Sequence, residues 1–141
     1  MIVLDTNVLS ELLRPLPDAR LVVWLAAQDG ATVYFTAVGE AELRYGLALL
    51  PEGKRRTALA QAVQEILAED FRDRILVFDS AAANAYAHIA ASRRAAGRPI
   101  SQLDCQIAAI ARVQGAALAT RNTTDFQACG IELIDPWQAP A

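Results

Sequence analysis

The sequence has few of the residues that build soft metal sites and redox centres. It contains two cysteines and one histidine in 141 residues, and Cys105 and Cys129 belong to no CxxC pair. Neither a zinc site nor a disulfide framework is therefore indicated, and we expect free thiols in a protein of the reducing cytoplasm. His88 lies in the middle of a predicted helix, which favours a packed or surface role over general-base catalysis.

An excess of basic charge and long apolar runs are also lacking. Thirteen Lys and Arg residues and sixteen Asp and Glu residues give a net charge of −3 and a pI near 5.1. This balance argues against a nonspecific nucleic-acid coat protein, but it allows a nuclease whose acidic pocket binds cations. Apolar stretches such as LVVWLAA end before the ~18 residues that a membrane span needs. No basic flank of a secretory signal and no glycine-rich nucleotide-binding motif occurs.

The chain alternates short apolar segments with segments of helical periodicity. The segments IVLD, VYFT, ILVF, GAALATRN and IELI are predicted as strands, with helices between them. This order predicts an α/β fold: a single three-layer α/β/α domain over residues 1–141. Its central parallel sheet should have about four or five strands, with helices on both faces.

An ionisable carboxyl group ends the first apolar run, MIVLDTN. Burying an unpaired carboxylate is costly, so Asp5 needs a local partner. One interpretation is that Asp5, Thr6 or Asn7 caps the helix predicted over VLSELLR. The other is that Asp5 belongs to a ligand site at the carboxyl end of a parallel strand, where open α/β sheets bind ligands.

Three further acids have comparable positions. Glu42 lies in the first turns of the helix after VYFT, Asp104 starts the helix DCQIAAIA, and Asp125 lies in the loop after ALATRN. Because such segments begin at one edge of a parallel sheet, we expect these acids to converge with Asp5. Converging carboxylates repel one another unless a cation is bound, and hard oxygen ligands suit Mg²⁺ or Mn²⁺. Two such ions about 3.5–4 Å apart would stabilise the attacking water and the leaving oxygen of phosphodiester cleavage.

Each of these acids also has a purely structural interpretation. Asp104 could be a helix N-cap, and Glu42 could be a surface acid, although its nearest base, Arg44, would point away from it. Glu40 precedes Glu42 by two residues, so on a helix the two face different ways and only one can reach the site. The set of four supports a site more strongly than any single member does.

Five sequence blocks, in this order, carry a resemblance to a known family: IVLDTNVLSELLRP, TAVGEAELRYGL, ISQLDCQIAAIA, TRNTTDF and IELIDPW. Over essentially its whole length the chain resembles PIN-domain ribonucleases, specifically the VapC toxins of VapBC toxin–antitoxin pairs in the branch of FitB-type proteins. The resemblance implies catalytic and metal-binding roles for Asp5, Glu42, Asp104 and Asp125, and places beside the metal the polar residues Thr6, Asn7 and Asn122.

The resemblance further implies a Mg²⁺- or Mn²⁺-dependent endoribonuclease that arrests translation by cutting RNA. It also implies a homodimer, neutralised in a larger complex by a VapB-type antitoxin whose C-terminal segment enters the acidic groove. An Arg or Lys of that segment would pair with the carboxylates. For RNA binding, Arg121 is the favoured phosphate contact. Further candidates come from the segment SRRAAGR: Arg93, Arg94 and Arg98. The basic residues of GKRRT are interpreted as a solvated helix face.

Two other functions remain open from the sequence. A phosphatase of the haloacid-dehalogenase type also begins with an apolar strand that ends in Asp, but it normally has a second acid where this chain has Asn7. The other alternative is a non-catalytic regulator that only binds an antitoxin or a DNA-bound partner through its helical face. The presence of all four acids argues against it.

Overall fold

The computed structural model describes residues 1–138, so the last three residues of the predicted domain lie outside the described residues. Five parallel strands form one sheet, and six α-helices connect them. The strands are β1 (Ile2–Leu4), β2 (Val33–Thr36), β3 (Ile75–Leu76), β4 (Ala117–Ala119) and β5 (Leu133–Ile134). The helices are α1 (Thr6–Leu12), α2 (Ala19–Ala26), α3 (Ala37–Ala48), α4 (Lys54–Glu65), α5 (Ser80–Ala95) and α6 (Gln102–Val113).

The two faces of the sheet are covered by different helices, because neighbouring residues of a strand point to opposite sides. Val3 and Leu118 pack in a buried cluster with α5 and α6. Leu4, Phe35 and Ala119 pack in a second cluster that contains residues of α1 to α4. The predicted three-layer α/β/α architecture is therefore confirmed. No helix within residues 1–138 is both long and apolar enough to cross a membrane.

The strand order β3-β2-β1-β4-β5 puts β1 in the centre, between β2 and β4. Asp5 follows β1 directly, α3 follows β2, and the segment from Thr120 to Asp125 follows β4. Helix α6 leads into the start of β4, so it runs antiparallel to that strand and its own N-terminus lies near the carboxyl ends of the strands. All four predicted acids therefore come from elements that begin at one edge of the sheet.

Small and polar residues set where the site helices begin. Thr36 accepts a hydrogen bond from the Gly39 N–H (2.9 Å) at the start of α3. Gly39 is buried over the Phe35 ring, where an added Cβ would lie 2.6 Å from a ring carbon. Helix α3 can therefore pack closely on β2, and this close packing fixes the position of the turn that carries Glu42.

The start of α6 differs from the prediction. Ser101 is the N-cap, accepting from the Asp104 N–H at 3.3 Å, and the helix begins at Gln102 rather than at Asp104. The interpretation of Asp104 as an N-cap is therefore wrong, and its side chain is free for another role. Four predicted strands are shorter than expected: IVLD is a strand only at Ile2–Leu4, ILVF only at Ile75–Leu76, GAALATRN only at Ala117–Ala119 and IELI only at Leu133–Ile134.

Candidate active site

Asp5 is the buried centre of a hydrogen-bond network. It is 5% exposed, and its Oδ1 accepts from the Thr6 N–H at 2.8 Å, so it caps α1. Its Oδ2 accepts from the Thr120 hydroxyl at 2.8 Å and from the Asn7 side-chain amide at 3.2 Å. Asp5 is thus a helix cap, as one of the two interpretations predicts, and it also lies near the charges of Glu42 and Asp104.

Glu42 reaches the same edge from α3. Its Oε1 accepts from the Thr6 hydroxyl at 2.8 Å, which ties α3 to the first turn of α1. Glu40 faces elsewhere, where it pairs with Arg44 (2.7 Å), and Arg44 also contacts Gln64. Glu42, not Glu40, is therefore the member of this pair that joins the site.

The Thr6 hydroxyl should orient Glu42 for ligand binding. We expect Thr6→Val to weaken Mn²⁺ binding about 10- to 100-fold, the cost typical of losing a hydrogen bond that orients a metal ligand. Thr6→Ser retains the hydroxyl and should bind Mn²⁺ nearly as well as the parent protein. Isothermal titration of both variants measures the difference, and equal affinities would show that Thr6 does not orient Glu42.

Asp104 and Asp125 approach from the other side of β1. Asp104 is half-buried in the first turn of α6, and Asp125 is exposed in the 3₁₀ turn Thr123–Phe126 that follows β4. Asp125 lies near enough to Asp104 for its negative charge to contribute to the raised pKa of Asp104. Asn122 starts the 3₁₀ turn, and its N–H donates to the Thr120 hydroxyl at 3.0 Å.

The electrostatics of the acids favour cation binding. Burial and, to a smaller extent, the charges of Asp104 and Glu42 together raise the pKa of Asp5 to about 6, against hydrogen bonds from Thr120 and Thr6. Burial also raises the pKa of Asp104, against the contact with Ser101 and the nearby Arg93 charge. A bound cation would reverse both effects by stabilising the charged carboxylates.

The donor set fits a hard divalent cation that keeps part of its water shell. Within residues 1–138, no three Asp, Glu, His or Cys side chains lie close enough to hold one ion by themselves. Mg²⁺ usually binds one or two carboxylates and retains several waters, and the site offers oxygen donors and no exposed thiol. Both cysteines are buried and unpaired, and burial raises the pKa of Cys105 to about 11. Asp5 and its neighbouring acids are thus the residues that could hold Mg²⁺ or Mn²⁺.

Two cavities adjoin the carboxylates. The larger, about 830 Å³, lies between α1, α3 and α4 and combines apolar side chains such as Leu13 and Leu59 with Arg14 and Arg55. The smaller, about 390 Å³, is lined by Asn7, Glu42, Arg14, Arg121 and Trp137, among others. In the segment GKRRT, Lys54 and Arg55 are exposed on α4, as expected for a solvated helix face, and Arg55 also lines the larger cavity beside the site.

The four arginines predicted to bind RNA have different environments. Arg121 is exposed, and its guanidinium lies 5.2 Å from the centre of the Trp137 ring. Arg94 and Arg98 are exposed, and Arg98 donates to the Gln127 side chain at 3.2 Å. Arg93 is only 6% exposed, and its guanidinium donates to backbone carbonyls. The prediction that Arg93 contacts RNA is therefore wrong, because the side chain is buried and its Nε and Nη1 groups already donate within the protein.

Sequence reasoning missed Thr120 as a member of the site. Thr120 is fully buried directly after β4, where it donates to Asp5 and accepts from Asn122. The signal that singled out Asp5, a polar side chain that ends a buried strand, also applies to Thr120 in ALATRN. Only its lack of charge made it less conspicuous.

Comparisons with known proteins agree with this geometry. The family model of the PIN domain matches residues 2–130. The chain belongs to the PIN-domain family. It is 42% identical over 138 residues to the VapC ribonuclease Y4jK of Sinorhizobium fredii, covering 98% of this chain and 99% of that protein. It is 41% identical over 137 residues to the toxin FitB of Neisseria gonorrhoeae, covering 97% and 99%.

Solved structures show the same branch of this PIN-domain family. The crystal structure of FitAcB from Neisseria gonorrhoeae matches with a TM-score of 0.93 and 40% identity, covering 99% of this chain and all of that one. FitAB bound to a DNA fragment also matches with a TM-score of 0.93, at 39% identity, covering all of this chain and 99% of that one. The predicted resemblance to VapC toxins of the FitB branch is thus confirmed, and it replaces the haloacid-dehalogenase alternative.

Proposed function

We propose that this PIN-domain protein is the toxin of a VapBC-type pair and a Mg²⁺- or Mn²⁺-dependent endoribonuclease. The observation that carries the proposal is that Asp5, Glu42, Asp104 and Asp125 come from four separate elements and meet at one sheet edge. The raised pKa of Asp5, to about 6, reflects a buried acidic site that a cation would neutralise. The identity to a VapC ribonuclease and to a FitB toxin supports the activity.

The chain's residues would act together on a phosphodiester. One or two carboxylates from the set Asp5, Glu42, Asp104 and Asp125 would bind each cation, which when bound would polarise the phosphate and lower the pKa of water. Thr120 and Asn7 hold Asp5 in place, and Thr6 holds Glu42, through the hydrogen bonds described above. Ser10 lines both cavities beside Glu42, but within residues 1–138 no base is hydrogen-bonded to its hydroxyl, so we assign attack on phosphorus to water.

Arg121 is placed to bind the RNA backbone next to the carboxylates. Its backbone N–H contacts Asn7 at 3.4 Å, and stacking on buried Trp137 limits the directions of its guanidinium. A restrained guanidinium loses less entropy when it binds a phosphate. Two further exposed arginines are proposed as weaker contacts: Arg98, which donates to Gln127 after the Asp125 turn, and Arg94.

Arg121→Ala should weaken RNA binding more than Mn²⁺ binding. Loss of one phosphate contact is expected to reduce the slope of log affinity against log salt by about 1. Arg72→Ala is the matched control, because Arg72 is an exposed arginine just before β3, at the opposite edge of the sheet. Fluorescence anisotropy of a labelled RNA at several salt concentrations gives both slopes. An unchanged slope for Arg121→Ala would contradict the phosphate contact.

The larger cavity beside Glu42 is the proposed docking site for the antitoxin's C-terminal segment. Its apolar lining suits an amphipathic peptide, and Thr6 and Glu42 at one end place an arriving Arg or Lys beside the acids. An Arg or Lys side chain in this position would prevent both the metal ion and an RNA phosphate from binding at the carboxylates. We further propose a cytoplasmic homodimer with one domain per chain; exposed apolar side chains such as Tyr45, Leu49 and Val77 are available for protein contacts.

The direct test is cleavage of mixed cellular RNA by the purified protein without antitoxin, in Mg²⁺, Mn²⁺ or EDTA. Discrete fragments that require the divalent ion would support the proposed nuclease and identify its target. If the protein binds Mn²⁺ and stays folded but cuts no RNA, the nuclease proposal fails. Antitoxin binding without cleavage would then favour the non-catalytic regulator.

A further inference from the structure

Arg93 is a buried cation bonded to backbone carbonyls. Its Nε donates to the carbonyl of Arg98 at 2.7 Å, and its Nη1 donates to the carbonyls of Asp125 at 2.9 Å and Gln127 at 2.7 Å. None of the three ion pairs found within residues 1–138 includes Arg93. Burying a guanidinium is costly unless its donors are hydrogen-bonded, and here two loops together bind its Nε and Nη1 groups.

The acceptors of Arg93 lie on the segment that presents a site carboxylate. The carbonyls of Asp125 and Gln127 belong to the 3₁₀ turn and the residue after it, so bonding both fixes the backbone on either side of Phe126. The third acceptor, at Arg98, belongs to the loop between α5 and α6. Since α5 packs against α6, the guanidinium joins the loop of Asp125 to the helix pair that carries Asp104.

We propose that Arg93 is a positioning residue, which holds the Asp125 carboxylate where it and Asp104 can bind the same divalent cation. The planar guanidinium has donors in a fixed arrangement, so it defines the relative position of the two loops. A lysine retains the charge but lacks that arrangement. The inference rests on the proposed metal-dependent function, but Mn²⁺ affinity tests it separately from RNA cleavage.

The matched control is a second arginine that bonds loop carbonyls far from the acids. Arg74 donates to the carbonyls of Val33 (2.7 Å), Gly30 and Asp70, and it lies directly before β3, at the opposite edge of the sheet. Arg93→Lys and Arg74→Lys therefore make the same chemical change in similar networks. Only the first network includes a site residue.

We expect Arg93→Lys to weaken Mn²⁺ binding about 10- to 100-fold in isothermal titration, as loss of an orienting partner does. Its kcat for RNA cleavage should fall while KM changes less than twofold. Arg74→Lys should lower the midpoint of urea unfolding without changing Mn²⁺ affinity. Equal Mn²⁺ affinity in both variants would reduce Arg93 to a structural role and overturn the proposal. If Arg93→Lys instead leaves Mn²⁺ binding unchanged but raises KM and weakens the salt dependence of RNA binding, Arg93 contacts RNA, and the positioning role is again overturned.

Hydrogen exchange of the parent protein gives a test that needs no variant to fold. Mg²⁺ bound by Asp125 should stabilise the Arg93 network, so amide exchange should slow at residues 94–98 as well as at 122–127. Residues 94–98 contain no proposed metal ligand. Protection confined to 122–127 would overturn the proposal. If the parent binds Mg²⁺ but cuts no RNA, the proposed activity fails while this exchange result still decides the role of Arg93.

Discussion

Asp5→Asn is expected to reduce metal-dependent RNA cleavage by about 10³-fold or more and to leave a folded protein. Asp5 is the most buried of the four acids and lies between the others, so its charge should contribute most to cation binding. Loss of a metal's several kcal/mol of transition-state stabilisation corresponds to roughly this factor. Asn keeps an oxygen that can accept the Thr6 N–H, and therefore the cap of α1 should survive.

The control for this substitution is Asp79→Asn. Asp79 also follows a strand, β3, and caps a helix by accepting the Ala82 N–H at 2.9 Å, but it is exposed and has no contact with the four acids. Asn is as good a cap as Asp, so cleavage should stay at the parent rate. Single-turnover cleavage of a defined RNA substrate in Mn²⁺ measures both variants. Activity retained in Asp5→Asn would refute the four-carboxylate mechanism.

The edge of the sheet that carries the site could be predicted because it follows from chain order alone. A parallel sheet directs every helix and loop after a strand to one edge, and Asp5, Glu42 and Asp125 occupy such segments. Their convergence therefore required no knowledge of tertiary contacts. The sequence order did not reveal which hydroxyl supports which acid, since the bonds from Thr6 and Thr120 cross between elements far apart in the chain.

The error at Arg93 has a specific cause. In SRRAAGR the two adjacent arginines look equivalent, and a basic segment usually indicates solvent or nucleic acid. Helical periodicity distinguishes the two arginines. The buried side of α5 is formed by residues spaced three or four apart: Ala82, Ala85, Ile89 and Arg93. Arg93 is therefore on the core face and Arg94 is exposed. The periodicity can be read from the sequence. The sequence does not show that loop carbonyls accept hydrogen bonds from Arg93 and so stabilise its buried charge.

The metal-free protein should lose stability as pH rises from about 4 to about 6. Burial raises the pKa of Asp5 from 3.8 to about 6, so the folded state retains a proton that the unfolded state has released. Stability therefore falls across this interval and stays low above it. A shift of about two pKa units corresponds to roughly 3 kcal/mol, or about 10 °C in Tm for a domain of this size. Asp104, whose pKa is also raised, changes stability in the same direction.

Asp5→Asn isolates this contribution, because Asn cannot ionise. In EDTA, the variant should gain stability over the parent as pH rises from 4 to 7, by roughly the same 3 kcal/mol. Asp18, whose pKa is lowered by Arg20, is present in both proteins and cancels in the difference. Adding Mn²⁺ at pH 7 should raise the parent's Tm and leave the variant's nearly unchanged, since the cation replaces the missing proton at Asp5. Urea unfolding at several pH values measures the difference. If the free energies of unfolding of the two proteins change in parallel with pH, burial of Asp5 does not destabilise its ionised form. The buried carboxylate would then not favour metal binding through relief of that destabilisation.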